Sequence, residues 1–221
     1  MIDLSSWNLT IPEGSPAKVI ETPRLVKGYS DKYFRSGNTL FFWAPVTGST
    51  TSKSEFPRSE LRETYRDGRL RNWTYPEAEH RLSASLIVNQ MPSEGRIVIG
   101  QIHIYQGKGP LLKVEYLYDP PKKTGRVVVN YRLKPNSADR TVVIAEGVDL
   151  KQKLSYEVRL SPAGYLKVSA QGNQWGKQLS SSWKNKLLYF KAGAYALDNT
   201  GYKSEGAQVT FSRLEVGHRT R

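Results

Sequence analysis

Apolar and polar residues alternate along most of the chain, and this alternation predicts β-strands. In the run from 96 to 105, Val98, Ile102 and Ile104 would face a core, because alternate side chains of a strand share a face. Gln101, His103 and Tyr105 would then line the opposite face. One strand would therefore have an apolar side and a side that carries reactive groups.

Similar runs recur at a spacing of roughly ten residues, with turn-forming residues between them. They are predicted at 7–11, 40–43, 80–89, 111–118, 125–133, 142–145, 154–160, 165–170, 187–195 and 208–216. The helix candidates are short, at 149–154 and 182–186. This pattern favours an all-β sandwich or barrel. Because the chain has 221 residues, we expect a single domain over 1–221.

The segment Arg58–Glu63 permits two interpretations. In a strand, Arg58, Glu60 and Arg62 would share one face, about 7 Å apart. In a helix, the same residues would form a salt-bridged surface turn. Pro57 could begin either element, so the segment alone does not decide between them.

The chain is strongly basic, with 33 Lys and Arg residues against 20 Asp and Glu residues and a formal net charge of +13. A positive field concentrates polyanions, so nucleic acid, an anionic membrane and an acidic polysaccharide all fit as partners. A merely soluble basic surface is the simpler interpretation. A membrane is the least favoured partner because the sequence has no long apolar span or basic amphipathic helix.

Composition argues against several kinds of catalytic site. The chain has no cysteine, which excludes disulfides, thiolate metal sites and a cysteine nucleophile. His80, His103 and His218 lack the paired spacing of zinc ligands, so we predict no metal site and expect His80 and His218 at the surface. There is no Gly-x-Ser-x-Gly elbow or phosphate-binding loop. Glu60 lies between two arginines that should keep it ionised, which suits a strut better than a glycosidase acid.

Three segments carry polar groups that alternate along a strand. They are Arg58-Ser59-Glu60-Leu61-Arg62, Gln101-Ile102-His103 and Tyr189-Phe190-Lys191-Ala192-Gly193-Ala194-Tyr195. If the three strands are adjacent, these groups form a basic platform. The segments, in this order, resemble the signature motifs of polysaccharide lyase family 7, the alginate lyases, and the opening residues 3–12 resemble that family's first strand. The resemblance covers nearly the whole chain.

This resemblance implies a jelly-roll β-sandwich of two antiparallel sheets, whose concave face binds alginate and cleaves it by β-elimination. Alginate is a polymer of mannuronate and guluronate, and elimination leaves an unsaturated uronate at the new non-reducing end. The catalytic residues implied are Arg58, Gln101, His103 and Tyr195. Arg58 and Gln101 would neutralise the uronate carboxylate, so that the C5 proton becomes more acidic. His103 would remove that proton, and Tyr195 would protonate the departing oxygen and also serve as base for mannuronate.

Five further residues are expected to bind the substrate or organise the site: Glu60, Arg62, Tyr105, Lys191 and Asn199. Glu60 would orient the arginines, while Arg62 and Lys191 would lower the pKa of Tyr195.

The chain departs from the family pattern two positions after Tyr195. Family members commonly carry Gln there, whereas this chain has Leu197, and Asn199 would substitute for it. In this family, Ile102 favours substrates that contain guluronate over pure polymannuronate.

We expect a monomer that binds alginate and acts without a cofactor, and we expect any effect of calcium to act through the polymer. The polar segments 46–55 and 198–207 are candidate lids over the groove. The first residues lack the features of a secretory signal, so we expect a chain that is cytoplasmic or already processed, although family members are often secreted or periplasmic. The alternatives are a non-catalytic polysaccharide-binding module of the same fold and a nucleic-acid-binding β protein.

Overall fold

Two antiparallel β-sheets form the protein in residues 1–220, the range that the computed structural model describes. The strands are β1 (Trp7–Thr10), β2 (Val19–Ile20), β3 (Phe34–Ser36), β4 (Leu40–Pro45), β5 (Arg58–Glu63), β6 (Glu79–Gln90), β7 (Arg96–Ile104), β8 (Leu112–Asp119), β9 (Thr124–Tyr131), β10 (Arg140–Val148), β11 (Leu154–Leu160), β12 (Tyr165–Ala170), β13 (Asn173–Gln178), β14 (Leu188–Ala196) and β15 (Gly206–Arg219). The eight-stranded sheet has the order β10-β9-β8-β7-β14-β5-β1-β2, and the seven-stranded sheet has the order β13-β12-β11-β6-β15-β4-β3. The predicted sandwich of two antiparallel sheets is confirmed.

Helix is a minor component of the described residues. It consists of α1 (Thr22–Val26) and two 3-10 turns, Tyr75–Glu77 and Ser181–Trp183. The sequence reasoning missed α1, although Pro23 in its first turn is a typical helix-start residue. The helix predicted at 149–154 is wrong, because the chain turns there between β10 and β11. No helix in residues 1–220 is long and apolar enough to cross a membrane.

The hydrophobic core fills the space between the two sheets. Its largest fully buried side chains include Trp7, Phe42, Trp183, Phe190 and Phe211. The inner faces of both sheets contribute to one continuous cluster. The other face of the eight-stranded sheet is turned away from this core, and we call it the groove face.

Strand β5 settles the ambiguity of the segment Arg58–Glu63. It pairs with β1 on one side and with β14 on the other, so the helical interpretation is wrong. Leu61 packs in the core, and the Ser59 hydroxyl donates to the Tyr33 carbonyl at 2.9 Å. The three charged residues at 58, 60 and 62 therefore share the groove face, as predicted for a strand.

The prediction for Val98 is wrong, because strand β7 contains an irregularity of register. The pairing with β8 shifts between Val98 and Gly100, and the pairing with β14 shifts in the same region. Ile97 and Ile99 consequently face the core together with Ile102, whereas Val98 is buried outside the core cluster. A bulge of this kind exchanges the faces of a strand. A Cβ on Gly100 would lie 2.5 Å from the Tyr156 hydroxyl, so this position accepts only glycine.

His80 and His218 are buried partners, which corrects the prediction of two surface histidines. Their Nδ1 atoms lie 2.7 Å apart, and His218 Nε2 contacts Glu63 Oε2. His80 stacks on Trp73 with 3.9 Å between ring centroids. Burial lowers the pKa of His80 to about 4, assisted by the neighbouring His218. Both rings point inward from the paired strands β6 and β15. The charged residues next to them in the sequence had favoured surface positions.

Candidate active site

Three neighbouring strands, β7, β14 and β5, bring the polar segments of the sequence together. The groove-face register pairs are Gln101–Lys191, Lys191–Arg62, His103–Tyr189 and Tyr195–Arg58. The adjacency that the basic platform required is therefore present. Strands in a sheet are about 4.8 Å apart, so side chains on three successive strands can reach one sugar.

Glu60 lies at the centre of this platform and is completely buried. Its Oε1 atom accepts a hydrogen bond from Arg58 Nη1 at 2.8 Å and contacts Lys191 Nζ at 2.8 Å. Its Oε2 atom accepts a hydrogen bond from Gln101 Nε2 at 2.8 Å. One carboxylate thus positions two cations and one amide, each on a different strand.

The charges of this cluster are coupled. Burial alone would raise the pKa of Glu60, but the charges of Lys191 and Arg58, with the hydrogen bonds from Lys191 and Gln101, lower it to about 2. Burial and repulsion from Arg58 lower the pKa of Lys191 to about 8. At neutral pH, one negative charge therefore faces two positive charges, and the cluster keeps a net positive charge for an anion.

Tyr195 lies against Arg58 at the edge of the cluster. The Arg58 guanidinium carbon is 3.8 Å from the centroid of the tyrosine ring. The Tyr195 hydroxyl is 2.9 Å from Ser54 Oγ, which also donates to the Phe56 carbonyl at 3.0 Å. Two contacts, one to the ring and one to the hydroxyl, thus hold the phenol in place. Arg58 Nε is buried and has no hydrogen-bond partner among residues 1–220.

His103 is held as a neutral imidazole with one nitrogen free. Its Nδ1 atom lies 3.0 Å from the Ile104 carbonyl, which can only accept, so Nδ1 carries the proton and Nε2 keeps its lone pair. Its ring stacks on Tyr189 with 5.5 Å between centroids. Burial, followed by the positive charge of Lys191, lowers the pKa of His103 to about 4. The histidine is therefore unprotonated at neutral pH and can accept a proton.

Arg62 has different partners from those expected. It donates to the Glu63 and Arg71 carbonyls and to Asn72 Oδ1, and its guanidinium lies 3.6 Å from the centroid of the Tyr189 ring. Glu60 therefore orients Arg58 but makes no hydrogen bond to Arg62 within the described residues. The side chain that Arg62 covers is Tyr189, not Tyr195.

A cavity of about 710 Å³ lies over the platform. Its floor includes Arg58, His103, Tyr189 and Lys191. Thr51 and Lys53 in the predicted lid 46–55 also line it, as do residues 106–109, which sequence reasoning treated as a simple turn. The second predicted lid, 198–207, does not line this cavity.

The two remaining predicted binding residues, Tyr105 and Asn199, do not line this cavity. Tyr105 follows the end of β7 and is partly exposed. Asn199 donates from Nδ2 to the Glu55 carbonyl at 3.1 Å, so its amide ties the segment 198–207 to the segment 46–55.

Sequence reasoning missed Ser54 as a site residue and assigned no role to Tyr189. Ser54 lies in a polar loop with no periodic pattern, so its contact with Tyr195, 141 positions away, left no signal in the sequence. The alternation of β14 did place Tyr189 on the same face as Lys191, and only its role was left unassigned.

These features define a class of enzyme. The basic platform can neutralise a carboxylate. The neutral histidine and the tyrosine beside it can serve as a base and an acid. Glycoside hydrolysis would instead use a pair of free carboxyl groups. The platform, the histidine and the tyrosine are the features expected of a polysaccharide lyase that acts on an acidic polymer.

Comparison with known proteins identifies the family. A family model described as alginate lyase matches residues 2–218, and the chain belongs to this family. An alginate lyase from Klebsiella pneumoniae is 26% identical over an alignment of 284 residues, which covers 98% of this chain and 89% of that protein. The crystal structure of alginate lyase PA1167 from Pseudomonas aeruginosa superposes with a TM-score of 0.95, at 43% identity, and covers 98% of this chain and all of that one.

Alginate lyase A1-II', a member of polysaccharide lyase family 7, has a TM-score of 0.87 and 29% identity, and covers 100% of this chain and 97% of that one. The predicted family, jelly-roll fold and activity are confirmed. The protein is an alginate lyase that cleaves mannuronate and guluronate polymer by β-elimination, which overrules the alternative of a non-catalytic module.

Proposed function

We propose that Arg58, Gln101, His103 and Tyr195 carry out the elimination on alginate, with Lys191 as the principal binding cation. The observation that carries this proposal is the convergence of Arg58, Gln101 and Lys191 on the buried Glu60, beside a histidine with a free Nε2. The crystal structures of alginate lyase A1-II' in complex with substrate (GGMG) and with product (GGG) support an alginate chain as the occupant of the groove.

Arg58 and Gln101 neutralise the carboxylate of the reacting sugar. The C5 proton lies next to this carboxylate and is weakly acidic, because its loss creates an enolate-like dianion. Donors that are already positioned stabilise this charge as it develops, without further reorganisation. Arg58 Nε, a buried donor without a partner in residues 1–220, supports this role.

His103 takes the C5 proton of guluronate at Nε2. A pKa of about 4 makes it a weak base in the empty groove. The bound sugar carboxylate brings negative charge beside the ring and raises this pKa towards neutrality, where general-base catalysis is most effective. Tyr195 donates its proton to the departing glycosidic oxygen, and for mannuronate it also acts as base. Ser54 holds the Tyr195 hydroxyl towards the groove.

Glu60 positions Arg58, Lys191 and Gln101, while Arg62 and Tyr105 bind neighbouring sugars. The preference suggested by Ile102 must act indirectly, because this side chain is fully buried in the core and cannot contact a sugar. Asn199 contributes by joining the segment 198–207 to the segment 46–55, which lines the cavity. We propose that the chain acts as a monomeric single domain without a cofactor, and its one continuous core supports the single domain.

The test follows the ultraviolet absorbance of the conjugated double bond that elimination creates, with polyguluronate and polymannuronate as separate substrates. His103→Ala should lower kcat on guluronate by roughly 100-fold or more, the usual contribution of a positioned base. Tyr195→Phe should abolish cleavage of both polymers. Tyr165→Phe, which alters a half-exposed tyrosine on the seven-stranded sheet, is the matched control and should leave both rates unchanged. Guluronate cleavage at the normal rate by His103→Ala would refute the choice of base.

A further inference from the structure

A second buried carboxylate lies on the groove face, outside the site described above. Glu115 on β8 is completely buried, and it is not part of the hydrophobic core cluster. It shares a register row with the catalytic tyrosine, because Tyr195 pairs with Val98 and Val98 pairs with Glu115. Two strand spacings, about 10 Å, separate Glu115 from Tyr195.

The surroundings of Glu115 repeat the arrangement around Glu60. Its Oε1 atom accepts a hydrogen bond from Arg96 Nη2 at 2.9 Å, and its Oε2 atom accepts one from Asn130 Nδ2. Lys113 Nζ lies 3.9 Å from the same oxygen, beyond hydrogen-bond distance. One negative charge again faces two positive charges, so this cluster also keeps a net positive charge.

The two cations remain accessible to a ligand. The side chain of Arg96 is 48% exposed and that of Lys113 is 19% exposed, whereas Glu115 itself is not exposed. Lys113 is the register partner of the catalytic Gln101, so the second cluster begins on the strand next to the active site.

A cavity adjoins this cluster. Leu117, the register partner of both Arg96 and Arg126, lines a cavity of about 450 Å³ together with Arg126 and Glu146. This cavity approaches the cluster through Leu117, whereas Arg96, Lys113 and Glu115 do not line it.

We infer that Arg96 and Lys113, positioned by Glu115, form a second carboxylate-binding site that holds a neighbouring uronate of the same polymer. Burying a carboxylate costs several kcal/mol. Packing of the sandwich does not require one at position 115, because apolar residues alone would fill the space. An acid that is fully buried beneath two accessible cations is explained by the anion that those cations bind. The inference rests on the proposed function, because it takes the polymer that Arg58 and Gln101 act on and extends its path across β8.

The test compares long alginate with short uronate oligomers that fill only the sites at the catalytic residues. Arg96→Gln and Lys113→Gln should each raise KM for long alginate, on the order of tenfold for one charge-assisted hydrogen bond, and leave kcat unchanged. KM for the short oligomers should not change. Lys113→Arg should restore most of the affinity, and Lys167→Gln, on the exposed face of the seven-stranded sheet, is the control with the same loss of charge.

An equal rise of KM for every substrate length, or no rise for long alginate, would overturn the second site. Thermal unfolding of each variant shows whether a changed KM comes from a damaged fold. Retention by alginate in affinity electrophoresis, measured in the inactive Tyr195→Phe background with and without Lys113→Gln, separates the two proposals. If the proposed catalytic roles are wrong, the turnover of the catalytic variants will differ from expectation, but Lys113→Gln will still reduce retention. If the two proteins are retained equally, only the second site is refuted.

Discussion

Replacing Glu60 with glutamine tests the central contact of the active site. The change keeps the shape of the side chain but removes the negative charge that faces Arg58 and Lys191. The native pKa is about 2 against an ordinary value of 4.5, a difference that corresponds to about 3 kcal/mol in favour of the charged form. Removing one partner from a buried ion pair costs roughly 3–5 kcal/mol, which agrees. We therefore expect Glu60→Gln to lower the free energy of unfolding at pH 7 by about 3 kcal/mol.

The pH dependence of this loss identifies its cause. A carboxylate with a depressed native pKa stabilises the fold fully above pH 4.5, and this stabilisation is lost as the pH falls towards 2. In urea unfolding, the difference between wild type and Glu60→Gln should therefore shrink to about half by pH 3. Activity should also fall, because Arg58, Lys191 and Gln101 lose their common partner.

Glu157 provides a matched control. This carboxylate also contacts two cations, Arg81 at 2.8 Å and Arg159 at 2.5 Å, but it is partly exposed on the seven-stranded sheet. Glu157→Gln should change stability by no more than about 1 kcal/mol, as is usual for exposed pairs. A Glu60→Gln effect below about 1 kcal/mol, or one that stays constant from pH 7 to 3, would refute the proposed electrostatics.

Three further outcomes are expected. The value of kcat/KM, which reports on the free enzyme, should decline below about pH 4 as His103 is protonated and above about pH 8 as Lys191 loses its proton. A pH profile of kcat/KM measured with short oligomers checks both declines. Ser54→Ala should lower kcat more than KM by freeing the Tyr195 hydroxyl, and an unchanged kcat would show that Ser54 has no positioning role. His80 stays neutral in the fold down to about pH 4 but is protonated near 6.5 when unfolded, so it should contribute about 2 kcal/mol to the loss of wild-type stability between pH 7 and 5. A His80→Asn variant should lose correspondingly less over this range, and a loss equal to that of wild type would contradict this.

The sequence was most informative where strand alternation and motif coincided. The faces of β5 and β14 follow a simple period of two, so Arg58, Glu60, Lys191 and Tyr195 could be assigned to one surface before their partners were known. Alternation failed at Val98, because one irregularity of register exchanges the two faces of β7. The sequence also has no signal for contacts between distant loops, which is why Ser54 was missed.

The histidines show a second limit. His80 and His218 have charged neighbours in the sequence, which is typical of exposed positions, yet the pairing of β6 with β15 brings them together beneath β5. Burial of polar side chains depends on partners that only the tertiary structure supplies, here Glu63 for His218. Glu63 and His218 are 155 positions apart, so their contact cannot be recognised from the local sequence pattern.

The contact between His218 and Glu63 has a practical consequence for anyone who engineers the protein. Glu63 ends strand β5, which begins with the proposed catalytic residue Arg58. The last residues of β15 therefore support the far end of β5 from the opposite sheet. Deleting residues from 217 onward would remove this support, whereas a purification tag attached after them would leave it intact. Trimming at this end is therefore a change to the scaffold of the candidate active site, whereas adding a tag is not.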